Sequence, residues 1–159
     1  MRVSVKSISL IAVMGALGNV IGLIEIPLAP GVLLHLSQFT GILIAINLGP
    51  LAGGITGALS VLFVTFSIGT FASMFIPLGN FILSFAAGLA SKRFRPLIAG
   101  LIGEVVETPY LWLTTILILP IPLITLINVK AFIEVAISSL VVEALMARAE
   151  VKRFFEAIK

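Results

Sequence analysis

Glu104 and Glu107 stand three residues apart, and Lys130 and Glu134 four apart, inside stretches that are otherwise apolar. On a helix either spacing puts both side chains on one face. Tyr110 and Trp112 follow the glutamate pair, with Pro109 between, where it is expected to kink the helix. Asn128 precedes Lys130, Asn80 lies in an apolar stretch further upstream, and His35 and Gln38 open an earlier one. A charge near the centre of a bilayer costs at least about 2.5–3.5 kcal/mol on insertion scales, so each of these groups needs a partner or a use. Two arrangements provide one. In the first, a polar pocket, Tyr110 and Trp112 stack on a ring while Asn128, Lys130 and Glu107 hydrogen-bond its edges, and Glu104, Glu134, Asn80 and Gln38 complete the walls. In the second, Lys130 pairs with Glu134 or Glu107 and holds helices together, and the two aromatic residues belong to the membrane interface. His35 is either a loop anchor or a ligand contact. Glu143 is expected to snorkel or to pair with Arg148.

Other chemistry is excluded by what the sequence lacks. It has no cysteine, so there is no disulfide, thiolate nucleophile or cysteine-ligated metal. Aspartate is absent and there is one histidine. No G-x-x-x-x-G-K-[ST], H-E-x-x-H or G-x-S-x-G motif occurs, so the chain is not expected to be an enzyme, to hydrolyse ATP itself, or to hold a metal or cofactor. The basic residues do not form a stripe of the kind that binds nucleic acid.

The elements that position these groups follow from composition. Of 159 residues, 60% are hydrophobic and 11% charged, against about a quarter charged in an ordinary soluble domain. Lipid is therefore the solvent, for a single domain over residues 1–159. The N-terminal apolar run continues without a small-x-small cleavage site and is expected to be a retained helix. Spans are expected at 6–24, 33–48, 51–68, 74–91, 96–118 and 127–147, separated by Pro27, Pro30 and Gly31, by Gly49–Pro50, by Gly69, by Pro96, and by Pro120 and Pro122. The prediction is an all-α polytopic protein, a six-helix transmembrane bundle with both termini cytoplasmic. Charge supports that count: Arg2, Lys6, the Lys92–Arg95 turn, Arg148, Lys152, Arg153 and Lys159 then share the cytoplasmic side, leaving only Lys130 elsewhere. The proline-rich outer connections are expected to fold over the mouth of the bundle. Residues 148–159 alternate charges with Val151, Phe154, Phe155 and Ile158, as an amphipathic tail continuing the last helix along the membrane surface. Ala12 and Ala16, four apart with Gly15 and Gly18 nearby, would let another helix approach closely.

Taken over nearly its whole length, the chain resembles the substrate-binding S-components of energy-coupling factor (ECF) vitamin transporters. The resemblance rests on LIAVMGALGNVIGLIEIPLAPG in the first span and loop, LHLSQFTGILIAINLGPLAGGITGALSVLF in the second and third spans, the basic turn after the fourth, and LINVKAFIE at the start of the sixth. It implies a membrane-embedded subunit of a prokaryotic plasma membrane that captures a vitamin or precursor from outside. Such a subunit docks on a transmembrane coupling protein driven by two ATPase subunits and topples to release its cargo. Ala12 and Ala16 would form the docking face. Asn128 and Lys130, with one residue between them, resemble the Asn–Lys pair of the riboflavin-binding members, in which two intervene. Riboflavin, thiamine or its pyrimidine precursor, and a pterin or deazapurine all remain open, and the surplus of glutamates favours a ligand rich in N–H donors or a cation. A small proton-coupled secondary transporter and a scaffold that binds nothing are the readings from other classes.

Overall fold

The computed structural model describes residues 4–29, 32–116 and 119–158. Arg2, Pro30, Gly31 and Lys159, used above to place turns and charge, lie outside the described residues, as do positions 117 and 118 at the end of the expected fifth span.

Helix α1, Val5–Gly22, starts at Ser4, whose side chain accepts the Ser7 N–H at 3.1 Å and satisfies a donor left free at the helix start. Apolar residues surround this helix, so glycines select its packed face. Gly15 rests on Leu59, and Gly18 on Ser60 and Thr40. Ala12 and Ala16 lie off that face and are exposed. The chain then forms an antiparallel hairpin, β1 Ile26–Ala29 with β2 Val32–Leu34. This corrects the all-helical expectation and the start of the second span at 33. Pro27 disfavours a helix here, and Val32 and Leu34 point inward with Leu33 outward, the period of two that belongs to a strand.

Helix α2, Gln38–Leu48, therefore begins late. Gly49 turns the chain at φ 102°, a conformation that favours glycine, and Pro50 occupies the first turn of α3, Pro50–Leu59. The two helices run close together because Gly53 faces Ala45 and Gly41 faces Gly57. The span expected at 51–68 is not continuous: α3 ends at Leu59 and α4 runs Leu62–Ile68. In lipid, backbone groups freed by such a break must find partners within the protein. Asn19 of α1 supplies them. Its Nδ2 donates to the Leu59 carbonyl at 2.7 Å and its Oδ1 accepts the Phe63 N–H at 2.6 Å.

A 3-10 turn, Ala72–Phe75, leads into α5, Ile76–Ala90. Next come α6, Pro96–Thr115, with Pro109 inside it, and α7, Ile121–Met146. Helix α7 starts well before 127 because Pro120 precedes it and Pro122 sits in its first turn, where the missing N–H costs nothing. The expected outer loop at 119–126 is thus mostly helix. After a break at Ala147–Arg148, α8, Ala149–Glu156, buries Phe155 against the bundle instead of continuing α7. Glu143 does not pair with Arg148. It meets Arg95 at 3.4 Å and accepts the Leu97 N–H at 3.1 Å, tying the basic turn to the end of α7.

Helix α5 lies between α3 and α6, and α7 closes the bundle against α6 and α2. Among the described residues, four segments are long and apolar enough to cross a membrane: Val5–Gly22, Pro50–Ile68, Ser73–Ala90 and Ile121–Met146. The outer surface is apolar too, with Val13, Phe66, Leu113 and Ile121 all exposed, as befits a membrane protein.

Replacing Asn19 with Leu leaves the Leu59 carbonyl and the Phe63 N–H without partners. Each unmet group costs about 1–3 kcal/mol. Thermal unfolding in detergent should show a clearly lower midpoint for Asn19→Leu, and an unchanged midpoint would mean the break is satisfied some other way.

Candidate functional site

Two glycines bring the chemistry of α6 into the bundle. Gly103 lies against the Leu83 carbonyl and Ala87 of α5, and Gly100 against Ser139 of α7. With α6 wedged between these neighbours, its next turn delivers Glu104 and Glu107 to the junction of the three helices. Gly79 of α5 makes room for one of them: a Cβ at that position would come within 2.5 Å of Glu107 Oε1.

The junction opens into a cavity of about 780 Å³ at the end of the bundle remote from the Arg95–Glu143 contact. Its depth is formed by Gln38, Asn80, Glu104, Glu107, Lys130 and Glu134, and its mouth by the β hairpin, Glu25 and the segment around the 3-10 turn. Glu134 is 1% exposed at its side chain and fully engaged. Its Oε1 accepts the His35 backbone N–H at 2.5 Å and meets Lys130 Nζ at 3.1 Å, and its Oε2 accepts from Gln38 Nε2 at 3.0 Å. The His35 ring is held by Ser37, Oγ to Nδ1 at 2.9 Å. The other two glutamates have no such support. Glu104 is fully buried with both carboxylate oxygens unpartnered, and among the described residues no group donates to Glu107. Asn80 donates to the Ile76 carbonyl at 3.3 Å while its Oδ1 is buried without a donor. Tyr110 donates its hydroxyl to the Phe75 carbonyl at 2.9 Å, fixing the 3-10 turn to α6.

The structure thus gathers Gln38, Asn80, Glu104, Glu107, Tyr110, Lys130 and Glu134 around one space, with His35 beside them. Asn128 and Trp112 do not line it. Asn128 is buried elsewhere and donates to the Ile124 carbonyl at 2.8 Å; Trp112 is half-buried. The cause is the same for both. Each stands two residues from a cavity residue, Lys130 or Tyr110, and on a helix such a step turns about 200° to another side. Aromatic surface comes instead from Phe63, Phe71 and Phe75. Those residues, with Glu25, were missed by sequence reasoning. Phe71 and Phe75, four apart before Pro77, carried a faint helical spacing signal, and Phe63 carried none.

Such a chamber can hold a small molecule between apolar walls while acceptors fix its orientation. Among the described residues no group of three or more His, Cys, Asp or Glu side chains is arranged to hold a metal ion.

No family model and no curated protein matches the chain. Among solved structures, the S component of a bacterial ECF transporter aligns with a TM-score of 0.59, covering 97% of this chain and 98% of that one at 21% identity. The chain has the fold of an ECF-transporter S component. In this S-component fold the cavity lies between the hairpin, the 3-10 turn and helices α2, α5, α6 and α7.

The Lys130–Glu134 contact yields a double-mutant test. Lys130→Met leaves a buried carboxylate without its cation, a loss of about 3–5 kcal/mol, whereas removing both charges in Lys130→Met/Glu134→Gln should recover most of it. Chemical unfolding of the four proteins measures the coupling, and a coupling near zero would show that the pair does not support the fold.

Proposed function

We propose that this chain is the membrane-embedded, high-affinity binding subunit of a vitamin-uptake system in a prokaryotic plasma membrane. It captures a small vitamin-like molecule of the riboflavin, thiamine/pyrimidine or pterin type. A separate ECF module, a transmembrane coupling protein with two ATPase subunits, drives release to the inside. The observation that carries this reading is a cavity of about 780 Å³ whose polar groups are sunk in an apolar bundle of S-component fold. Lys130, Glu134, Gln38, Glu104, Glu107, Asn80 and Tyr110 form the binding residues.

The reading includes six crossings: α1, α2, α3 with α4, the 3-10 turn with α5, α6, and α7. Both termini and the Lys92–Arg95 turn are then cytoplasmic, and the cavity opens outward. Lys6, Arg93, Arg95, Arg148 and Lys152 at one end of the bundle support that orientation through the excess of basic residues on cytoplasmic sides. The exposed Ala12 and Ala16 of α1 form the docking face for the coupling protein. Their small side chains permit a close helix approach, and α1 is little buried by the rest of the chain.

Three experiments test these points. The purified protein should carry or take up a small organic molecule seen by native mass spectrometry. Ala16→Trp should retain that binding while uptake with the coupling module falls to background. If uptake persists with the Trp in place, α1 is not the docking face; if no vitamin-like compound binds the parent protein, the binding function itself falls. For topology, a cysteine at Phe94 should resist impermeant thiol reagents in intact cells and react after lysis. Labelling of intact cells would rule out the six-crossing arrangement.

A further inference from the structure

From the balance of charge and hydrogen-bond acceptors in the cavity, we infer that the ligand is a planar heteroaromatic cation bearing N–H donors; this rests on the binding-subunit reading and narrows it. Four carboxylates, Glu25, Glu104, Glu107 and Glu134, line the cavity against one ammonium, Lys130. That ammonium is already engaged by Glu134 at 3.1 Å. The Gln38 amide is committed to the same carboxylate, and the Tyr110 hydroxyl to the Phe75 carbonyl. The cavity therefore has its inner donors already engaged by the protein itself.

It is rich in free acceptors. Both oxygens of Glu104 and the Asn80 Oδ1 are buried without a donor, and no described residue donates to Glu107. A buried polar group without a partner costs free energy, and a buried carboxylate costs more. Glu104 and Glu107 stand three apart on α6 and face the same space, so a ligand that brings N–H groups and positive charge relieves both at once. The remaining surface agrees with this. Phe63, Phe75 and Tyr110 present aromatic rings to the cavity, and an aromatic face attracts a cation as well as stacking on a flat ring. A neutral ligand without N–H groups would leave the glutamate pair and the Asn80 Oδ1 without donors. An anionic one would add like charge to the pair. A bare metal ion is disfavoured because no group of three or more potential ligands converges among the described residues.

The test is a thermal-shift and calorimetry panel on the purified full chain. It uses thiamine as a permanent heteroaromatic cation with an amino group, 4-amino-5-hydroxymethyl-2-methylpyrimidine as a protonatable one, riboflavin as a neutral flat ring, and pantothenate as an anion. The cationic and protonatable probes should bind, and riboflavin and pantothenate should not. Glu104→Gln and Glu107→Gln should each weaken the bound probe about a hundredfold, the loss typical of removing one partner of a buried charged contact. Glu104→Gln should unfold no earlier than the parent, because Glu104 makes no contact that the fold needs. Binding of riboflavin or pantothenate in preference to the cations would overturn the cation inference and leave the binding-subunit reading standing. Undiminished thiamine affinity in both glutamine variants would also overturn it. Failure of every probe would overturn the cation inference alone, because the binding-subunit reading falls only if native mass spectrometry also finds no vitamin-like ligand.

Discussion

A carboxylate buried to 1% exposure survives in an apolar bundle only if donors surround it, and at Glu134 they come from three separate parts of the chain. The His35 N–H belongs to the segment after β2, Gln38 to the first turn of α2, and Lys130 to the preceding turn of α7. None of these donors can move away without stranding the charge. The hairpin, the start of α2 and the middle of α7 are therefore held in one relation, and this relation forms one wall of the cavity. It also explains why α2 starts only at Gln38: the three residues before it, His35 to Ser37, are bent to aim a backbone N–H and to hold the imidazole through Ser37.

The opposite wall depends on small residues rather than on charge. Helices in lipid gain little from burying apolar surface against one another, so close approach and hydrogen bonding must associate them. Gly41 against Gly57, Gly57 against Ser84, and Gly100 against Ser139 run through the bundle as such contacts. They bring α6 close enough that Glu104 and Glu107 are carried inside, and Gly79 leaves the space that Glu107 fills. Asn19 serves the same economy at the α3–α4 break, where one amide satisfies a carbonyl and an N–H at once. That break lets α4 bring Phe63 and Val64 to the mouth of the cavity.

Much of this was legible in the residues and part of it was not. The apolar runs and their glycine and proline breaks located the helices because both properties are local. Charged residues within those runs located the cavity because lipid makes each of them costly. The hairpin was missed because Ile26–Leu34 is apolar, and apolar runs do not separate short strands from helix by composition. The break at Ser60–Val61 was missed because its compensation lies in Asn19, far away in sequence. Asn128 and Trp112 were misplaced for a reason open to correction in advance: neighbours two apart on a helix look in different directions, so neither could share the cavity with Lys130 or Tyr110. The partners of Glu134 could not be read at all, since one of them is a backbone N–H.

The three inner glutamates then differ in a way that residue type alone does not predict. Glu134 is fully supplied with donors from the protein, while Glu104 and Glu107, in the same cavity, are left without them. If the bundle used these charges only to hold helices together, each carboxylate would be expected to have acquired a partner, or to be replaced by an apolar residue of similar size at no loss. A fold that is consistent elsewhere tolerates local unmet cost where function requires it. The rigid Glu134 network and the glycine contacts supply that consistency, and so permit two acceptors to be held open on a fixed helix face. Gly100, Gly103 and the Tyr110–Phe75 hydrogen bond hold α6 in place, and with it the backbone that carries both glutamates. On the binding-subunit reading proposed above, this preorganisation converts the cost of burying the two glutamates into selectivity for a donor that enters the cavity.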